Sequence, residues 1–271
     1  MTQPEAQPSI DELLDQAVEA INRGDRATSD ALAGRVLAVD SANADAEELM
    51  AAPNFPGEIR RLTTLFADLV DSTALSTRIE PENYRTVVGR YREQVRRSVE
   101  RYEGHISSTK GDGLLAQFGY PTAHENDVRR AVQAGLDIAR EVADLSKRVR
   151  SRFGFDISVR VGIHRGIVYL DTAQDDVYGF AANLTARLCG LADPGAVAVS
   201  DTIEPLIRSG FELEARLPKP VKGVEGLVRY FRVTGERDMA ALRLGPLVGR
   251  QHEMEYLRAS WAQTEVGSLQ T

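Results

Sequence analysis

Between Arg61 and Val233 strand-like and helix-like segments follow one another in an order that leaves few folds open. Arg61–Asp68 is β-branched and apolar and reads as a buried strand. Pro81 stands at a helix N1 position, Tyr84, Val87, Val88, Tyr91, Val95 and Val99 recur three and four residues apart, and Gly104 closes that helix. Two short strands, His105–Thr109 and Leu114–Phe118, flank the tight turn Lys110-Gly111-Asp112-Gly113. A second long helix is expected from about His124 to Val149, with Val128, Val132, Leu136, Ala139 and Val142 as its inner stripe. Asp156–His164 and Ile167–Asp171 read as a further strand pair. A helix near Gly179–Ala192, a strand at Val197–Ser200 and a closing strand at Leu227–Val233 complete the series.

The order β-α-β-β-α-β with additions predicts an α+β fold of the ferredoxin-like, split βαβ kind, with helices on one face of a mainly antiparallel sheet. This body, residues 58–235, is close to electrically neutral, because the acidity of the chain (net −7) lies in residues 1–57, where Arg23, Arg26 and Arg35 meet eleven carboxylates and leave −8. Without a basic face the chain is not expected to bind nucleic acid. No apolar run approaches the ~20 residues of a membrane span, and the acidic opening lacks the pattern of a signal peptide, so a cytoplasmic protein without membrane contact is expected. Cys189 is the only cysteine, which excludes an intrachain disulfide and a cysteine-based zinc site.

Two flanks extend the body. Residues 9–22 and 25–39 carry helical periodicity broken at Asn22-Arg23-Gly24-Asp25, giving a helical hairpin that reads either as one tetratricopeptide-like unit or as a flexible arm that packs on a neighbour. Pro53-Asn54-Phe55-Pro56-Gly57 is the expected linker. At the other end, residues 236–271, Gly245-Pro246-Leu247-Val248-Gly249-Arg250 resembles the start of an AAA-like ATPase domain. No phosphate-loop motif follows it, and no ATPase activity is expected of the tail.

The chemistry-bearing residues gather at segment ends. Asp68 terminates an apolar strand and Asp112 sits at a hairpin tip next to that strand in the expected sheet, so both can reach one end of it. Two convergent carboxylates suit Mg2+ or Mn2+, hard cations that share oxygen ligands with nucleotides, although Asp-Gly by itself is ordinary turn chemistry. Leu69, Val70, Asp71, Ser72 and Thr73 turn from strand to helix, where main-chain N–H groups can cradle phosphates or Asp71 and Ser72 can simply cap a helix. Asn183 and Arg187, spaced i, i+4, project from one helix face; together they offer an amide to a ribose and a fixed fork to a phosphoryl group.

Together, Leu65–Thr73, Lys110–Leu115, Gly162-Ile163-His164-Arg165-Gly166 and Asp176–Arg187 resemble, in order, the catalytic domain of the class III adenylyl and guanylyl cyclases over about residues 58–235. The resemblance implies that Asp68 and Asp112 hold two metal ions, that Asn183 and Arg187 bind ribose and stabilise the transition state, that Asp176 reads the base, and that Lys222 binds phosphate. It also implies an ATP substrate and a homodimer whose two sites each combine halves from both subunits. Ser108 departs from the pattern: it stands four residues before Asp112, where the family carries its adenine-selecting lysine, and Lys110 lies two residues late. A low-turnover adenylyl cyclase is therefore expected, with a catalytically feeble nucleotide-binding dimerisation module as the alternative. A diguanylate cyclase fits the topology but lacks its G-G-D-E-F-type turn.

Overall fold

The protein is described here by a computed structural model covering residues 8–52, 58–171, 176–224, 226–237 and 256. Residues up to Glu236 form one compact unit and those from Arg237 a second. The ATPase-like stretch read at 245–261 lies, apart from Tyr256, outside the described residues, as does the linker 53–57.

The first unit begins with helices α1 (Ile10–Asn22), α2 (Arg26–Val39) and α3 (Ala44–Ala51). The body follows as β1 (Glu58–Leu69), α4 (Ser72–Arg78), α5 (Pro81–Arg101), β2 (His105–Lys110), β3 (Gly113–Phe118), α6 (Asp127–Phe153), β4 (Val159–Asp171), β5 (Asp176–Tyr178) and α7 (Phe180–Leu191). It ends with β6 (Val197–Ser200), α8 (Glu204–Ile207), β7 (Phe211–Ala215), β8 (Lys219–Pro220), β9 (Leu227–Val228) and β10 (Tyr230–Glu236). The main sheet runs β2-β3-β1-β4-β6-β10-β7, with β5 pairing on the far end of β4 and β8-β9 forming a separate ribbon. All of its pairings are antiparallel except β4 with β6.

Side-chain alternation along β1 and β4 divides the molecule into layers. Leu65, Ala67 and Leu69 on β1, with Val161 and Ile163 on β4, point to the face covered by α5 and α6, where they join Val87, Tyr91, Val95, Ile138 and Val142 in the main core. Each such fully buried aliphatic chain contributes roughly 1.5–3 kcal/mol. The intervening residues point the other way, and there α7 covers the sheet. Helices thus lie on both faces, not on one as the strand order suggested. The contact is backbone to backbone: a Cβ on Gly162 would come within 2.3 Å of the Cys189 nitrogen and 2.5 Å of the Thr185 carbonyl. Beside it the hydroxyls of Thr64 and Thr185 sit 2.6 Å apart.

Several boundaries differ from the sequence reading. The strand pair read at 156–164 and 167–171 is one continuous β4, because β1 is long enough to pair with it from Glu58↔Leu170 to Leu69↔Val159, carrying it straight through Arg165-Gly166. The closing strand divides at Arg229 into β9, which pairs β8, and β10, which lies between β6 and β7. The third arm helix, α3, is short and had no periodicity to reveal it; Asn43 caps it by accepting from the Ala46 N–H at 3.1 Å.

The arm packs on its own chain. Leu13, Leu14, Ala17, Val36, Ala46 and Leu49 enclose Ile59 of β1 and Ile167 of β4. Asn22 pairs with the Ile59 main chain as a strand partner would, donating to its carbonyl at 2.6 Å and accepting from its N–H at 3.0 Å. Arg61 of β1, with 9% of its side chain exposed, is held by Asp11 at 2.6 Å and Asp45 at 3.0 Å.

Candidate active site

Asp68, one residue before the end of β1, and Asp112, in the β2–β3 turn, are brought together because β3 pairs directly with β1. Arg92 of α5 donates to the Gly111 carbonyl and fixes the turn from below. Gly113 packs closely under Phe66, whose ring a Cβ there would approach to 2.5 Å. Burial first, and then the charge of the neighbouring Asp112, push the Asp68 pKa up to about 6, against the opposing pull of the Leu69 N–H and of Arg160, its pairing partner on β4.

The second oxygen of Asp112, Oδ2, is buried without a hydrogen-bond partner. Among the described residues no third His, Cys, Asp or Glu joins the pair to complete a metal cluster. An all-oxygen pair that repels itself, with one oxygen left over and no further protein ligands, fits a hard divalent cation that takes its remaining ligands from water and phosphate. Two neighbours escaped the sequence reading. Arg160 is placed by β1–β4 register alone, and Tyr91 had been read only as an apolar stripe residue. Its buried hydroxyl has no partner, and burial together with the charges of Asp68, Cys189 and Asp112 raises its pKa well above the usual tyrosine value.

The strand-to-helix turn after Asp68 offers fewer amides than its five residues suggest. The Leu69 N–H serves Asp68 and the Val70 N–H donates to the Ser158 carbonyl at 2.9 Å. Asp71 occupies the N-cap of α4 in the left-handed conformation (φ 53°) and its side chain makes no capping bond. The main-chain N–H groups of Asp71, Ser72 and Thr73 remain available to an anion.

A second group of residues lies on α7. Asn183 is exposed and donates to the Gly179 carbonyl at 3.1 Å. Arg187, one turn later, is half-buried, and its Nη1 is buried without a hydrogen-bond partner. The turn between β8 and β9 folds over this guanidinium: Gly223, at φ +73°, would place a Cβ 3.3 Å from Nη1, and the exposed Lys222 precedes it. Asp176 opens β5 opposite Asp171; its Oδ1 accepts from the Val177 N–H at 2.8 Å, and its proximity raises the Tyr178 pKa. Ser108 lies on β2 opposite Leu115, immediately after an irregularity in the β2–β3 register. Among the described residues no hydrogen bond or ion pair within the chain joins the Asp68/Asp112 pair to the Asn183/Arg187 group. His164, between them in the sequence motif, is a core residue: burial pushes its pKa down to about 4, and Nδ1 meets the Ser200 hydroxyl at 2.9 Å.

The sequence over residues 56–234 is matched by the adenylate and guanylate cyclase catalytic domain. The chain belongs to that family. A putative adenylate cyclase 3 of Rhizobium meliloti is 27% identical over 156 residues, covering 57% of this chain and 25% of that protein. The adenylyl cyclase CyaB of P. aeruginosa superposes with a TM-score of 0.64 at 24% identity over 68% of this chain and 98% of that one. The guanylyl cyclase Cya2 does so with a TM-score of 0.63 at 25% identity, over 68% and 97%. The chain spans less than half the length of the first curated relatives it matches. Among the described residues of this cyclase domain no helix is long and apolar enough to cross a membrane.

Proposed function

We propose that this cyclase domain converts ATP to 3′,5′-cyclic AMP and pyrophosphate, at low turnover, in a cytoplasmic homodimer with two composite sites. The observation that carries the proposal is the carboxylate pair. Asp68 and Asp112 are pressed together with their charges opposed and one oxygen unused, an arrangement that costs stability unless a cation is bound there. They would hold Mg2+ or Mn2+, which supplies charge neutralisation for the triphosphate and acidifies the attacking hydroxyl.

The remaining steps belong to this chain's own groups. The substrate's 3′-oxygen forms a bond to its α-phosphorus, the bond from that phosphorus to the bridging oxygen breaks, and the hydroxyl proton leaves to solvent. Asn183 orients the ribose with its amide, and Arg187 meets the charge that develops on the α-phosphate with the Nη1 that has no partner within the chain. Lys222, beside that guanidinium, engages the phosphates together with the amides of Asp71, Ser72 and Thr73. Asp176 keeps acceptor capacity beyond its bond to the Val177 N–H, and accepts from adenine's exocyclic amine where guanine presents a carbonyl. In this reading Asn183 and Arg187, which share no hydrogen bond or ion pair with Asp68 or Asp112 among the described residues, form the half of the site that a second copy completes.

Purified protein incubated with Mn2+ and either ATP or GTP tests the proposal directly by the cyclic nucleotide formed. A second reading, a feeble nucleotide-binding dimerisation module, is favoured by Ser108 standing where the base-selecting lysine is expected; it predicts nucleotide binding and dimerisation with no cyclic product.

A further inference from the structure

The helix that carries Asn183 and Arg187 does not cap its own start. Its N-cap residue is Gly179, at φ +123°, with no side chain to accept from the first-turn N–H groups. The acceptor comes from 132 residues away: Oε1 of Glu48, on α3 of the arm, accepts from the Phe180 N–H at 3.0 Å. Gly179 is also what lets it approach, since a Cβ there would stand 2.9 Å from that oxygen.

A second contact repeats the pattern. Asp45 lies one helical turn before Glu48 and so on the same face of α3. Its Oδ1 accepts from the Ile167 N–H at 2.9 Å, on the stretch of β4 between the segments that pair with β6 and with β5. Here too a glycine makes the room, because a Cβ on Gly166 would be 3.0 Å from Oδ1. Its other oxygen binds Arg61 of β1. Tyr169 of β4 closes the contact by donating to the Glu48 carbonyl at 3.3 Å, and Arg26 of α2 holds the end of α3 through the carbonyls of Met50 and Ala52.

We infer that Glu48 is a positioning residue for the cyclase reaction: the arm, through α3, clamps the first turn of α7 and thereby sets where Asn183 and Arg187 stand. Asn183 is within that first turn and hydrogen-bonds back to Gly179, so fraying at Phe180 displaces it directly. Docking takes the Glu48 carboxyl largely out of water. Burial pushes its pKa up to about 7, aided by Asp45 and opposed by the Phe180 N–H, which marks the contact as an enclosed part of the fold. The inference rests on the cyclase reading for its catalytic consequence and on geometry alone for the clamp.

The test compares Glu48→Ala, Glu48→Gln and Glu48→Asp in the full chain by amide hydrogen exchange across Phe180–Asn183 and by cyclase kinetics. Glu48→Ala should speed exchange in that turn at least tenfold and lower kcat about fivefold or more with KM for ATP changed less than twofold. Glu48→Gln keeps the acceptor and should restore both. Glu48→Asp, one methylene short of Phe180, should behave like the alanine variant and serves if that variant folds poorly. Wild-type exchange and kcat in Glu48→Ala, or failure of Glu48→Gln to rescue, would overturn the clamp. A wild-type protein that makes no cyclic nucleotide removes the cyclase reading, while the exchange data still decide the clamp.

Discussion

Asp68, near the end of β1, lies against Asp112 of the β2–β3 turn, and burial first, then the charge of Asp112, raises its pKa to about 6. A carboxyl whose folded-state pKa exceeds its unfolded value of about 4 favours the fold fully at low pH, and that contribution is lost as pH rises through 6. In metal-free protein the pair therefore weakens the fold above pH 6. Asp68→Asn removes one charge and keeps a hydrogen-bonding group, so thermal melts in chelator should show a gain of about 1 kcal/mol at pH 8, after allowing for solvent screening of a half-exposed group, and little change at pH 4. Metal-dependent turnover should vanish in the same variant, and Mn2+ should no longer raise its melting temperature. Full turnover in Asp68→Asn, or in Asp112→Asn, would remove the metal assignment.

The proposed composite site predicts complementation. An Asp68→Ala subunit lacks only the carboxylate half and an Arg187→Ala subunit lacks only the half on α7. Each homodimer should be inactive, whereas subunits mixed under exchange conditions should regain up to about a quarter of wild-type activity, since half of the random dimers are mixed and each holds one intact site of two. Activity that fails to return after exchange, with mixed dimers verified by mass, would place both halves of each site in one subunit.

The meeting of Asp68 and Asp112 was legible in the sequence because strand order makes β1 central and a short hairpin can only lie beside it. The companions of that pair were not. Arg160 faces Asp68 through a pairing register between strands some 90 residues apart, and the Tyr91 hydroxyl is hidden in an otherwise apolar helical stripe. The single long β4 was read as two strands because Arg165-Gly166 has turn chemistry, whereas a strand's length is set by its partner, here the twelve residues of β1. Glu48 gave no local signal at all. An N-cap supplied from another helix leaves its trace only as a glycine at the capped end, and Gly179 was read simply as part of a motif.

Gly162 offers a test of how tightly α7 is seated. Its missing side chain lets the Thr185–Cys189 backbone rest on β4, and the atoms a Cβ would strike are main-chain atoms that cannot rotate aside. Gly162→Ala must push α7 off the sheet and separate Thr64 from Thr185. Denaturant unfolding should show a loss of about 3 kcal/mol. Activity per folded molecule should also fall, since the same helix carries Asn183 and Arg187. A variant as stable and active as the wild type would mean that α7 does not sit in this close backbone contact.

The proposed ATP selectivity rests on residues of β2 and β5. Ser108 pairs with Leu115 just past the register irregularity, and it occupies the place where a lysine donor to adenine N1 is expected, while Asp176 on β5 retains acceptor capacity for the amine. With half of the recognition pair in place, ATP preference over GTP should be modest and KM for ATP high, because one lost charged hydrogen bond is worth about 1–3 kcal/mol. Ser108→Lys supplies the donor together with a cation to pair with Asp176, and kcat/KM for ATP should rise about tenfold or more with little gain for GTP. The competing arrangement has Lys110 supplying the donor from two residues further along the same strand. Lys110→Ala would then lower kcat/KM for ATP selectively and Ser108→Lys would bring no gain. Parallel ATP and GTP kinetics of Ser108→Lys, Ser108→Ala and Lys110→Ala separate the two, and a selective loss confined to Lys110→Ala would move base recognition from position 108 to position 110.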